Sequence, residues 1–104
     1  MAPFTLTYHP FPEETRGIVT GVVQYMEKLG RYRIVIDSTL DADRRRHALK
    51  HELAHIALNH LTDLTETIDD VEKAADEYAD QMTDEEFSEL MTYQVGEAVL
   101  HGQI

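Results

Sequence analysis

The chain has 104 residues, 42% of them hydrophobic, with 9 Lys+Arg against 20 Asp+Glu and a formal charge of −11. That composition excludes a disordered chain, and the length fits one domain spanning residues 1–104. Residues 53–104 carry 13 acidic side chains and 1 basic one, which argues against binding a nucleic-acid backbone, so no nucleic-acid partner is expected.

The first element is a strand. Phe4, Leu6 and Tyr8 alternate with Thr5 and Thr7 until Pro10 and Pro12 interrupt the pattern. The next stretch predicts a helix over 12–29, with Ile18, Val22, Met26 and Leu29 as its apolar stripe and Gly30 as its stop. Gly17 and Gly21 weaken that helix locally. Arg31 to Asp37 is aromatic and β-branched, which predicts a second strand with Tyr32, Ile34 and Ile36 on one face. Asp41 or Asp43 caps a helix running to about His60, with Leu49, Leu53 and Ile56 in its core stripe. Residues 62–67 read as a polar loop. Asp69 or Asp70 opens a third helix carrying Val71, Ala74, Ala75, Tyr78 and Met82. Thr83-Asp84-Glu85-Glu86 has the form of a capping box opening a fourth, with Phe87, Leu90 and Met91 facing inward. From Gly102 the end is expected to fray. No apolar run reaches the length of a membrane helix, so no membrane contact is expected. Met1 to Tyr8 lacks the basic and apolar regions of a secretion signal, so the expected location is cytoplasmic.

Cysteine is absent, which removes disulfides and thiolate metal sites and leaves His, Asp and Glu as ligands. The helix over 41–60 contains His51-Glu52-Leu53-Ala54-His55. Side chains four apart lie within about 40° of each other on a helix, so the two imidazoles can share one ion at roughly 2.0–2.1 Å. Glu52 is rotated from His51 by about 100°, beside the ion instead of on it, where it can take a proton from a metal-bound water. The plain alternative is two surface histidines on an amphipathic helix.

A catalytic zinc needs a third protein ligand and one open position. His60 is near the helix end, where a cap or packing role suits it better than ligation. His47 is one turn before His51 and reads as a neighbour of the site or a surface residue. Glu72 is the better third ligand. Glu72 and Asp76 are four apart on the third helix, and two carboxylates at that spacing destabilise it by a few tenths of a kcal/mol. The cost has a reason if Glu72 binds a cation and Asp76 accepts a hydrogen bond from the far nitrogen of a ligand histidine. Otherwise both belong to an acidic solvent face.

With HExxH on one helix and ExxxD on the next, the chain is similar to the gluzincins. More narrowly, Arg45 to His60 and Glu72 to Ala79 resemble the ImmA/IrrE family of metallopeptidases. The resemblance implies an α+β, minimal zincin-like domain, mostly helical, with a small sheet beside the HExxH helix and a glutamate helix after it. It implies Zn2+ on His51, His55 and Glu72, with Glu52 as general base and Asp76 behind the ligands. It also implies hydrolysis of a peptide bond in a protein or peptide substrate, including regulatory cleavage of a repressor-like protein in a phage or mobile element. After Met82 the family's Leu-Met-Pro is replaced by Thr83-Asp84-Glu85, a departure that bears on the regulatory role more than on the zinc site.

Three further expectations concern substrate. Arg33 to Asp37 could pair with an extended substrate backbone. Tyr78 and Tyr93 are candidate oxyanion donors, each also readable as a core or rim aromatic. Arg44-Arg45-Arg46 could attract acidic substrate residues or simply be solvated. The reading from another class is a non-catalytic, metal-stabilised interaction module, in which a fourth protein ligand such as His60 or His101 closes the site.

Overall fold

The computed structural model describes residues 1–61 and 67–100. Residues 62–66 of the predicted loop 62–67, His101 and the predicted fraying from Gly102 lie outside the described residues. The first strand, β1, spans Phe4–His9. The predicted helix over 12–29 does not form. In its place stand a short 3-10 turn at Glu13–Thr15, a strand β2 at Gly21–Met26 and a second 3-10 turn at Glu27–Leu29. Ile18, Val19, Thr20, Val22 and Val23 are all β-branched, with Gly17 just before them and Gly21 among them. That mixture disfavours a helix and suits an extended edge. The apolar spacing alone could not separate the two, because a period of four is also a multiple of the strand period. Gly30 does end its element, in the left-handed region at φ 63°.

Strand β3 is Arg31–Asp37. The sheet order is β2-β3-β1-β4, with β4 at Val99–Leu100. β1 runs parallel to β3, pairing Phe4 with Tyr32 and Leu6 with Ile34. β2 runs antiparallel to β3, pairing Gly21 with Ile36. Both edges of β3 are therefore occupied. The expectation that Arg33 to Asp37 receives a substrate strand fails for that reason, and the edge beside α1 belongs to β2.

Among the described residues three helices complete the domain: α1 at Ala42–Ala57, α2 at Ile68–Gln81 and α3 at Asp84–Met91. Each is capped by its own N-terminal side chain. Asp41 accepts from the Arg44 amide and Thr83 from the Glu86 amide, as the sequence suggested. The third cap differs: Thr67, one residue before α2, accepts from the Asp70 amide. α1 ends at Ala57, three residues before His60.

One face of the sheet and one face of α1 make the core. Phe4, Leu6, Tyr32, Ile34 and Ile36 meet Leu49, Leu53 and Ile56, with Met82 closing the side. The fold is thus a small α+β domain. Two of the three consecutive arginines link these parts. Arg46 pairs with Asp84 at 2.7 Å and lies over the Phe87 ring, and Arg45 lies over Tyr8. At the far end of β3, Asp37 is fully buried and accepts from the amides of Phe11 and Thr39 and from the Thr39 hydroxyl. Burial works to raise its carboxyl, but these bonds hold it below its ordinary value. No helix among the described residues is long and apolar enough to cross a membrane.

Candidate metal centre

α1 packs with its Leu49, Leu53 and Ile56 side on the sheet, which turns His51 and His55 toward α2. α2 meets it through Ala75 and Ala79, both buried. Small side chains there allow close approach, and the same face of α2 carries Glu72 and Asp76 one turn apart. The result is a convergence of basic atoms. His51 Nε2 is 2.9 Å from Glu72 Oε2, His55 Nε2 is 3.2 Å from Glu72 Oε1, and the two Nε2 atoms are 3.1 Å apart. A tetrahedral ion with ligands at roughly 2.0–2.1 Å spaces them about 3.3 Å apart. These three residues therefore fit a divalent ion, and among the described residues they form the group able to hold one.

The surroundings suit that chemistry. His51 Nδ1 faces Asp76 Oδ1 at 2.7 Å. The far nitrogen of His51 thus donates to a carboxylate, which orients the ring and leaves Nε2 as the basic atom. Burial holds the His55 imidazole below its ordinary pKa; His51 and His60 act in the same direction, and Glu72 opposes them. A neutral imidazole is the form that ligates. His60 Nδ1 is 3.0 Å from His55 Nδ1, on the side of the ring away from Glu72. His47 sits at the rim, 4.0 Å from Asp80.

Glu52 lines the same cleft, tucked under the sheet edge at Gly21. It is 6% exposed. Burial, reinforced by Glu72 and opposed by His51, pushes its carboxyl from an ordinary 4.5 to about 7. The sequence offers Gly21 as a site of close packing within a helix; the structure puts it in β2, where it makes room for Glu52. A Cβ on Gly21 would come within 2.8 Å of Ile36 Cδ1, 3.2 Å of Glu52 Cγ and 3.3 Å of Glu52 Oε1. Gly21 therefore lets the β2 backbone lie directly on the Glu52 carboxylate. A glycine inside a run of β-branched residues was the available signal. Gly21→Val is expected to lower stability by about 1–3 kcal/mol through overpacking, read as a shift in the urea midpoint; an unchanged midpoint would mean that Ile36 and Glu52 yield freely.

The centre opens into a cleft of about 660 Å³, bounded by Ile18, Val19 and Val22 near β2 and by Leu61 and Val71 on the helical side. Tyr78 packs against the core and Tyr93 lies outside the cleft lining, so neither is set to donate to a substrate there.

An α+β domain that presents two histidines of an HExxH helix, a glutamate of the next helix and an open cleft is of the metallopeptidase class. The chain belongs to the IrrE N-terminal-like domain family, Peptidase_M78, whose model matches residues 3–101. No curated protein and no solved structure matches it.

Proposed function

We propose that this domain is a zinc-dependent peptidase that cleaves a protein substrate held as an extended strand along β2. The observation that carries the reading is the meeting of His51, His55 and Glu72 within about one coordination sphere, with a buried Glu52 beside them in an open cleft. His51, His55 and Glu72 hold the ion, which when bound supplies Lewis acidity to a water and to the scissile carbonyl. Glu52 takes the proton of the attacking water on a carboxylate oxygen and delivers it to the leaving amine. Burial, which raises the Glu52 carboxyl in the metal-free protein, makes its carboxylate a better proton acceptor than an exposed one. Among the described residues β2 is an edge strand, so it offers amides and carbonyls to a substrate backbone, and Ile18, Val19 and Val22 line the path. Cleavage of a repressor-like regulator belongs to the same proposal.

The test is hydrolysis of an unfolded protein or peptide library by purified, zinc-loaded protein. Cleavage is expected to stop with a chelator and return with zinc. Zinc-loaded protein that cuts nothing, with a fourth protein ligand on the ion, would replace this reading by the non-catalytic module. Comparing protein N-termini in cells producing wild type or Glu52→Gln would identify the substrate. Asp76→Ala is expected to weaken zinc binding 10–100-fold, about the usual effect of removing the partner of a ligand histidine. Competition with a chromophoric chelator measures it, and unaltered affinity would remove Asp76 from the site.

A further inference from the structure

The end of α1 is built around its second histidine. Leu58 is the last half-helical residue, and Asn59 follows in the left-handed region at φ 57°. The Asn59 amide donates to the Ile56 carbonyl at 3.1 Å, and the His60 amide donates to the His55 carbonyl at 3.0 Å. This is the Schellman pattern, a six-to-one bond enclosing a five-to-two bond. It places the side chain of His60 back over that of His55, where apolar pairs usually meet. Here two imidazoles meet instead. Their ring centroids are 5.2 Å apart and their Nδ1 atoms 3.0 Å apart.

We propose that this turn makes His60 a positioning residue for His55. The inference rests on the metal site proposed above. His55 presents Nε2 to His51 and Glu72. An ion on Nε2 requires the ring proton on Nδ1. The partner atom, His60 Nδ1, must then accept, with the His60 proton on Nε2. The two ligand imidazoles are thus oriented by different means: His51 by a carboxylate on α2, His55 by an imidazole delivered by the stop of its own helix. Asn59 has a definite part, because αL is a conformation that Asn tolerates and β-branched residues avoid. A Leu-x-His segment after the motif therefore reads as backbone geometry aimed at a ligand, not as a loose end.

The experiment is a zinc-affinity series by chelator competition on the intact chain, with urea unfolding of the metal-free proteins alongside. His60→Ala is expected to lose about 10–100-fold in affinity, and His60→Asn, whose Oδ1 can accept near the Nδ1 position, to recover most of it. Asn59→Gly keeps the left-handed turn and should bind like wild type; Asn59→Val opposes the turn and should bind weakly with His60 intact. A slowly exchanging His55 Nδ1 proton is expected by NMR in zinc-loaded wild type and not in His60→Ala. Wild-type affinity in His60→Ala, or an Asn variant no better than Ala, overturns the role. Should His60→Ala fail to fold, the two Asn59 variants decide alone: equal affinity in them overturns it. Wild type that binds no zinc instead refutes the metal site itself.

Discussion

Glu52→Gln is expected to keep zinc and lose peptide hydrolysis by about 10²–10⁴-fold, the span associated with a general base. Gln has nearly the same shape, so the contacts with Gly21 and the β2 backbone survive, while the proton acceptor does not. The same change has a second, independent signature in the metal-free protein. The folded carboxyl titrates at about 7 against an ordinary 4.5. Folded protein therefore holds the Glu52 proton more tightly than unfolded protein does. Below about pH 4.5 both states are protonated and the site carries no penalty. As pH rises from about 4.5 to about 7 the unfolded chain gives up this proton while the folded protein keeps it, so stability falls by an amount on the order of 3 kcal/mol and levels off above about 7. The Gln variant never ionises there. In EDTA it should match wild type near pH 4.5 and exceed it by that order at pH 8, measured by urea unfolding. A stability difference that does not change with pH would show that Glu52 is not confined as the structure has it. Normal cleavage by the variant would dismiss it as the base.

The other large effect concerns the ion. His51→Ala combined with His55→Ala removes two of three ligands, and metal analysis is expected to find about one zinc per chain in wild type and almost none in the double variant. Stability should follow. Zinc at a thousand times its dissociation constant stabilises wild type by about 4 kcal/mol through mass action, and the double variant gains nothing. Thermal or urea unfolding with and without added zinc reads this directly. Full metal content in the double variant would relocate the site. Glu72→Ala is a useful companion, since it tests whether the ligand set spans two helices.

Much of the site was legible because it obeys local rules. His51, Glu52 and His55 occupy one helical turn, and their relative directions follow from a rotation of about 100° per residue. Glu72 and Asp76 share a face for the same reason, and Ala75 and Ala79 beside them indicate which side of α2 packs closely. The structure brings these residues together with Asp76 on His51 and Glu72 on both rings. The alternation in Phe4 to Tyr8 and in Tyr32 to Ile36 likewise named the buried face of the sheet. The region 12–29 misled for an equally physical reason. Ile18, Val22 and Met26 fit a helix by spacing, and the decision fell to propensity and to pairing with β3, which lies outside any local window.

The chain order alone determined which side chains the domain can bring together: an imidazole pair, the glutamate between them and an acidic pair on a later helix, each at a spacing that local backbone geometry converts into a shared direction. It also set the caps and the apolar faces, which depend on neighbours a few residues away. Only the tertiary structure decided that β2, not β3, is the sheet edge beside Glu52 and that Gly21 lies against it, while the turn of His60 back onto His55 is local and hangs on the left-handed Asn59. Strand order and close approach arise from contacts between residues distant along the chain, and the reach of a side chain past a helix end depends on one left-handed residue. Neither is encoded in periodicity.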